Sequence, residues 1–325
     1  MGVIERYRDR LPIGPMTPLL DLGEGSTPLI HARRIGERLG VELYLKFEGI
    51  NPTGSFKDRG MVVAVAKALE AGAEGIICAS TGNTAASAAA YAARAGITAV
   101  LLCPAGAIAE AKQAQSRAVG AVVLEVRGSF EDAFRSALEL SERGIFVLVN
   151  SLNPDRIEGQ KTAVFEIIEQ LGREPELLAL PYGGGGNLCA YAKGFAEEGV
   201  APRVIAAQAA ERATTLASAI RIVEPAHLAE VEGIVARGRT EVISIADSEI
   251  SDAWIELASR EGVFCEPSSA AGLAALAHTE LEPGSTVVCV LTGHGLKDTG
   301  AVGALAAPPA LVEPTAEAIL AQVRR

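Results

Sequence analysis

A lysine at the opening of a helix is the first residue in this chain that could do chemistry. It lies in Asn51-Pro52-Thr53-Gly54-Ser55-Phe56-Lys57-Asp58-Arg59-Gly60. Asn-Pro and Thr-Gly form turns, and Ser55 is placed to cap the helix that follows. The run from Met61 to Leu69 is apolar, alanine-rich and closed by Gly72, which predicts a buried helix. Lys57 then falls in the first helical turn, where the helix dipole disfavours a cation. A lowered pKa would hold more of its amine neutral, as a Schiff-base nucleophile requires. A surface lysine at an imperfect helix start is the other reading of the same residues.

Two further turns have the composition of binding loops. Tyr182-Gly183-Gly184-Gly185-Gly186-Asn187 follows an apolar strand and opens a helix. Four glycines remove every Cβ, so backbone N–H groups can converge on an anion beside the helix N-terminus; a flexible loop is the alternative. No Gly-Lys-Ser/Thr follows, so this is not a P-loop, and a dinucleotide fingerprint would sit in the first βα unit. Ser80-Thr81-Gly82-Asn83-Thr84 is a second strand-to-helix turn, which by itself reads as an ordinary N-cap. Thr292 ends the last apolar strand before Gly293-His294-Gly295 and by itself is a turn threonine. Arg156, judged on its neighbours alone, is a solvated charge.

Alternating strands and helices must position these turns. Strands are predicted at Glu42–Glu48, Gly75–Ser80, Ile97–Cys103, Ala121–Val126, Phe146–Asn150, Leu177–Tyr182, Arg203–Gln208, Val242–Ile245 and Thr286–Leu291. Helices are predicted at Asn83–Arg94, Ile108–Val119, Phe130–Arg143, Gln160–Leu171, Leu188–Glu197, Glu249–Glu261 and Ser268–Ala277. No assignment is made between Val223 and Arg239, and Pro308-Pro309 marks a boundary before a terminal helix. Such alternation implies βαβ units with helices on both faces of parallel sheets, and near-continuous apolar strands such as Ile97–Leu102 agree. The turns then lie at carboxyl ends of strands, where open α/β sheets bind ligands.

A chain of 325 residues with 49% hydrophobic content and 34 glycines fits two α/β domains. No Pro/Gly/Ser linker separates two halves, so an insertion is expected: a smaller domain at 61–150 within a larger one formed by 1–60 and 151–325. Net charge is −11 and the pI about 5.0, which argues against nucleic acid or anionic membrane as a partner. Cys78, Cys103, Cys189, Cys265 and Cys289 lack metal-ligand or redox spacing and read as buried, reduced thiols. His31, His227, His278 and His294 show no metal spacing either and read as structural or surface residues. With no secretory signal and no membrane-spanning run, a cytoplasmic protein is expected. A homodimer is the expected assembly, although no residue pattern specifies it.

The lysine decapeptide resembles that of the threonine synthases, in the fold-type-II class of pyridoxal-phosphate (PLP) enzymes. Other matches follow in the family's order: Gly23-Glu24-Gly25-Ser26-Thr27-Pro28-Leu29, Ala79–Thr84, Val149-Asn150-Ser151-Leu152-Asn153-Pro154, Glu158–Thr162, Glu266-Pro267 and Leu291-Thr292-Gly293. The resemblance spans about Leu22 to about Asp298. It implies two parallel-sheet α/β domains, as in the tryptophan synthase β subunit, with PLP bound to Lys57. It implies that Gly183, Gly184, Gly185, Gly186 and Asn187 hold the cofactor's phosphate, that Asn83 meets its ring hydroxyl, and that Thr292 meets its pyridine nitrogen. It implies that the Ser80-Thr81 turn receives the substrate, while Asn150 and Arg156 contact the substrate's phosphate.

The implied reaction converts O-phospho-L-homoserine and water to L-threonine and phosphate. The chain departs from the family at three substrate-side places. Gly184 stands where the family has an asparagine, Glu211-Arg212-Ala213-Thr214 where a longer segment begins, and Val223-Glu224-Pro225-Ala226-His227 where it has G-N-P-A-S. A serine/threonine dehydratase or a replacement enzyme is therefore the alternative. A non-catalytic ligand-binding α/β protein is a third reading.

Overall fold

The computed structural model describes residues 1–106, 110–301 and 309–323. The strands are β1 (Leu29–His31), β2 (Glu42–Phe47), β3 (Gly75–Ala79), β4 (Thr98–Pro104), β5 (Val122–Val126), β6 (Val147–Leu148), β7 (Leu177–Pro181), β8 (Arg203–Ala209), β9 (Thr240–Ile245) and β10 (Thr286–Leu291). The α-helices are α1 (Val3–Arg6), α2 (Arg33–Leu39), α3 (Lys57–Glu70), α4 (Asn83–Ala95), α5 (Glu110–Ala118), α6 (Phe130–Glu142), α7 (Pro154–Leu171), α8 (Gly186–Glu197), α9 (Leu228–Val235), α10 (Asp247–Glu261), α11 (Ala271–Ala275) and α12 (Ala316–Val323).

Six strands form one sheet in the order β1-β2-β10-β7-β8-β9, and four form another in the order β5-β4-β3-β6. Every pairing is parallel except β1 with β2. Both faces of each sheet are covered. In β10, Val287, Cys289 and Leu291 enter a core with Leu273 and Trp254, whereas Val288 and Val290 enter one with Val164 and Tyr191. In β3, Ile76 and Cys78 pack with Met61 and Tyr91, and Ile77 packs with Ala133 and Ala137. This is why the strands read as unbroken apolar runs. Burial pushes the Cys78 and Cys289 thiols up to about 12, which leaves them inert. Among the described residues, no helix is long and apolar enough to cross a membrane.

Several boundaries differ from expectation. Helix α3 begins at Lys57, which lies in its first turn as expected, but Ser55 does not cap it. Phe56 occupies the N-cap without a side-chain bond, while Ser55 bridges to Gly293. Helix α7 begins at Pro154 rather than Gln160, because Asn153 accepts the Asp155 N–H at 2.9 Å and Pro154 takes the first helical position. The unassigned stretch after Val223 contains α9, and the helix expected at Ser268–Ala277 is α11 flanked by 3-10 turns at Pro267–Ala270 and Leu276–His278. The helix start placed at Ile108 and the Pro308 boundary lie outside the described residues.

Helices α3 and α7 cross where neither can carry a side chain. A Cβ on Gly159 would lie 2.0 Å from the Arg59 carbonyl oxygen, and one on Gly60 would lie 2.5 Å from that of Arg156. The close crossing brings the first turns of the two helices, and with them Lys57 and Arg156, into one cleft.

Candidate active site

The chain leaves the carboxyl ends of β2, β3, β6, β7 and β10 into turns that meet at this cleft. Backbone bonds tie them together. Phe56 N–H donates to Thr292 O at 3.0 Å, and His294 N–H to Gly54 O at 2.9 Å. Asn150 holds the ends of β3 and β6 in register by giving its Nδ2–H to Ala79 O (2.9 Å) and accepting Ala79 N–H (3.0 Å).

Lys57 sits in this cleft with its Nζ 4.2 Å from the centre of the Phe56 ring. It makes no hydrogen bond or ion pair with any described residue. Its pKa is lowered to about 7. The sequence argument credited the helix dipole; the structure names burial first and the charge of Arg156 second, with Glu266 opposing weakly. A free amine with that pKa exchanges protons readily at neutral pH.

The turn carrying Lys57 is anchored by a buried ion network that the sequence reading did not identify. Arg59 is fully buried and gives Nε–H and Nη2–H to Glu48 (2.7 and 2.9 Å) and Nη1–H and Nη2–H to Glu166 (2.8 and 2.6 Å). Lys46 donates to Glu166 at 2.8 Å and to Thr27 O at 2.8 Å. Two cations and two carboxylates balance, and each charged group has several partners. Burial alone would raise the pKa values of Glu48 and Glu166, but Arg59 and Lys46 hold both carboxyls below their usual range. Asp58 folds back onto the turn, accepting Thr53 N–H (2.7 Å), Thr53 Oγ1–H (2.6 Å) and Ser87 Oγ–H (2.6 Å). A signal was present in the sequence. Lys57, Asp58 and Arg59 open a buried helix at consecutive positions, so they cannot all face water.

The glycine loop forms the opposite wall. Gly185 has φ +91°, the left-handed region where a side chain is strained. A Cβ there would also lie 3.0 Å from His227 Cβ. Backbone N–H groups of the loop precede α8, whose first turn carries Asn187, buried with neither amide atom bonded among the described residues. Arg212 donates to Ile222 O at 2.8 Å and stacks its guanidinium 4.8 Å from the Tyr182 ring centre, bracing the loop. His227 is buried as well: its N–H donates to Gly184 O at 3.1 Å, and Nε2 lies 2.9 Å from Ser151 O.

Arg156 is not the solvated charge its neighbours suggested. It lies in the first turn of α7 and is 1% exposed. Nη1–H reaches Val149 O at 3.3 Å, while Nε and Nη2 have no partner among the described residues. Burial pulls its pKa down to about 10. An unpaired buried guanidinium costs several kcal/mol unless an anion completes it, so Arg156 marks an anion position within the cleft. Asn83, at the start of α4, turns its Nδ2–H to the Glu266 carboxyl at 3.1 and 3.2 Å. In the preceding turn Ser80 Oγ accepts Gly82 N–H at 3.2 Å, and Thr81 is half-buried beside it. Thr292 is buried with Oγ1 3.0 Å from Ser269 Oγ.

A lysine of low pKa, a side-chain-free cradle at a helix N-terminus and the orphaned amide of Asn187 fit a phosphate-bearing aldehyde cofactor. Together with two mostly parallel sheets flanked by helices, they define a PLP-dependent α/β enzyme of fold type II. A family model described as pyridoxal-phosphate dependent enzyme matches residues 20–293. The threonine synthase of Halalkalibacterium halodurans is 46% identical over 99% of this chain and 97% of its own. That of Synechocystis is 48% identical over 91% of this chain and 83% of its own.

Solved structures agree at the level of fold. A cysteine synthase from Entamoeba histolytica matches with a TM-score of 0.77 over 92% of this chain and 96% of its own, at 20% identity. A maize serine racemase matches with 0.76 over 93% and 95%, at 24% identity. The chain belongs to the pyridoxal-phosphate dependent enzymes and, within them, to the threonine synthase family.

Proposed function

We propose that this protein is a lyase that converts O-phospho-L-homoserine and water to L-threonine and inorganic phosphate. The observation that carries the reading is the pairing, in one cleft, of the low-pKa amine of Lys57 with the buried, half-satisfied guanidinium of Arg156. One group can move protons at Cα and Cβ, and the other can hold a departing phosphate.

In this reading Lys57 attaches PLP, the N–H groups of Gly183–Gly186 with Asn187 hold its phosphate, Asn83 meets its ring hydroxyl, and Thr292 meets its pyridine nitrogen. When bound, PLP supplies an electron sink for charge developing on the substrate carbons. A neutral hydroxyl at Thr292 cannot hold the ring nitrogen protonated as a carboxylate would, which damps that sink. Lys57 would take the Cα proton and then a Cβ proton, so that the γ-phosphate leaves; a proton is added at Cγ, the hydroxyl of water at Cβ, and a proton is returned to Cα. Arg156 grips the phosphate with charge-assisted bonds, and the Ser80-Thr81 turn receives the amino acid. Asn150, whose Oδ1 accepts Ala79 N–H and whose Nδ2 gives one N–H to Ala79 O, fixes the wall beside Arg156 and keeps its second Nδ2–H to donate to the phosphate. Phosphate and threonine formed in equal amounts from phosphohomoserine are the expected products. Turnover of an amino acid without a γ-phosphate, and none of phosphohomoserine, would overturn the substrate and keep the cofactor.

The departure at Gly184 gives a quantitative expectation. Its φ is not positive, and a Cβ there would meet only Ile222 Cδ1 at 3.5 Å, an ordinary contact. Gly184→Asn therefore fits the loop and adds a donor on the phosphate side. One hydrogen bond to a charged group is worth about 1.5–3 kcal/mol, or about one to two decades in affinity. The KM for phosphohomoserine falls accordingly in Gly184→Asn and rises by more in Arg156→Ala, where two bonds and a charge are lost. An unchanged KM in both variants would place the phosphate elsewhere.

The inserted domain at 61–150 agrees with the four-stranded sheet between β3 and β6. A homodimer is supported by the edge strand β5, which exposes Val122 and Leu124 close in sequence to exposed Phe130. A cytoplasmic location is supported by the thiols, of which Cys78, Cys103, Cys265 and Cys289 are buried as expected while Cys189 is partly exposed.

A further inference from the structure

Glu266 is a buried carboxyl group that the proposed reaction leaves without a role. It is 3% exposed and forms no ion pair with any described residue. Its backbone is fixed, with N–H donating to Gly293 O at 3.0 Å and the carbonyl accepting Ser269 N–H at 2.9 Å. Its side chain lies over Gly293, where a Cβ would come within 2.5 Å of Oε1. Among the described residues, the one hydrogen-bond donor the carboxyl receives is Asn83 Nδ2, at 3.2 Å from Oε1 and 3.1 Å from Oε2. The charges that face it are Lys57 from α3, and Lys297 and Asp298 from the turn after Gly295. A buried carboxyl with a single amide partner costs stability, and a chain retains it where it positions something.

We propose that Glu266 is a positioning residue that sets which end of the Asn83 amide faces the cleft. Because a carboxyl oxygen accepts, the Asn83 Nδ2–H group is committed to Glu266. With one end of the amide fixed on Glu266, the opposite end is the Oδ1 carbonyl, which can only accept and is the atom assigned to the cofactor. Asn83 therefore takes a hydrogen bond from the cofactor's ring hydroxyl instead of giving one, which favours a proton on that oxygen. The glycine at 293 is part of the arrangement, since any side chain there would displace the carboxyl. This inference rests on the reading of the cleft as a PLP site.

The test is cofactor affinity and the absorption spectrum of bound PLP, neither of which needs turnover. In Glu266→Ala the amide is free to turn, so the dissociation constant for PLP rises about tenfold or more and the ratio of the cofactor's absorption bands changes. A donor–acceptor exchange guards against a variant that fails to fold. Asn83→Asp sets two carboxyls against each other and weakens PLP binding; adding Glu266→Gln restores a donor facing an acceptor and recovers affinity. Wild-type affinity and spectrum in Glu266→Ala, or no recovery in the Asn83→Asp/Glu266→Gln pair, would overturn the proposal. Wild-type protein that takes up no PLP would instead overturn the cofactor reading on which it rests.

Discussion

Lys57→Ala lowers turnover by at least about 10³-fold, because it removes both the amine that holds the cofactor and the group that moves the substrate protons. The same substitution leaves the apoprotein as stable as wild type or more so. Lys57 makes no hydrogen bond or ion pair to lose, and its charge is held in a crowded cleft beside Arg156. The pH dependence separates this from a folding defect. A lysine lowered from 10.5 to about 7 penalises the folded state below the lower value, less as pH rises between the two, and not at all above the higher. The stability gained in apo Lys57→Ala is therefore largest below about pH 7 and vanishes in strong base. A variant unfolded across that range would show that Lys57 is a structural residue, and one that keeps wild-type turnover would show that it does not carry the chemistry.

Arg59→Ala is expected to have the largest effect on stability. Glu48 and Glu166 would be left buried with only Lys46 between them. Breaking a buried ion network in this way costs about 3–5 kcal/mol. The cost follows pH with a definite sign. In wild type the two carboxyls are held low, so their contribution is full above the ordinary carboxylate range and is lost as pH falls through their folded values. Without Arg59 the folded carboxyls titrate higher and take up protons on mild acidification, so the gap between variant and wild type narrows as pH falls toward about 4. Denaturant titrations at neutral and acid pH measure this. A gap that stays constant or widens on acidification would contradict the network's role.

Much of this site is legible in the sequence, for reasons that lie in particular residues. Lys57, the glycines before Asn187 and Thr292 are local features: each sits where an apolar strand stops and a turn begins, so type and spacing carry the information. The strands are equally legible, and β10 spans the run Thr286–Leu291 that its hydrophobicity marks. Arg156 is different. Its burial depends on α7 starting at Pro154 and on Gly60 and Gly159 letting two helices touch, and no local pattern at Arg156 reports that.

Glu266 and the Arg59 network escape for the same reason, since their partners are distant in sequence: Asn83 for one, Glu166 for the other. Ser55 shows the reverse case. It has the right type for a cap, but pairing with Gly293 draws its backbone into a bridge, and Phe56 takes the cap position. Helix α9 is not legible because Leu228 remains half exposed and Val231 alone among its residues is fully buried, which leaves little periodicity to read.

The identity of the cofactor lysine is decided by reducing the PLP-loaded protein with borohydride and mapping its peptides by mass. A pyridoxyl group on Lys57 is the predicted result. The same group on Lys46 or Lys161, or on no lysine at all, would contradict it.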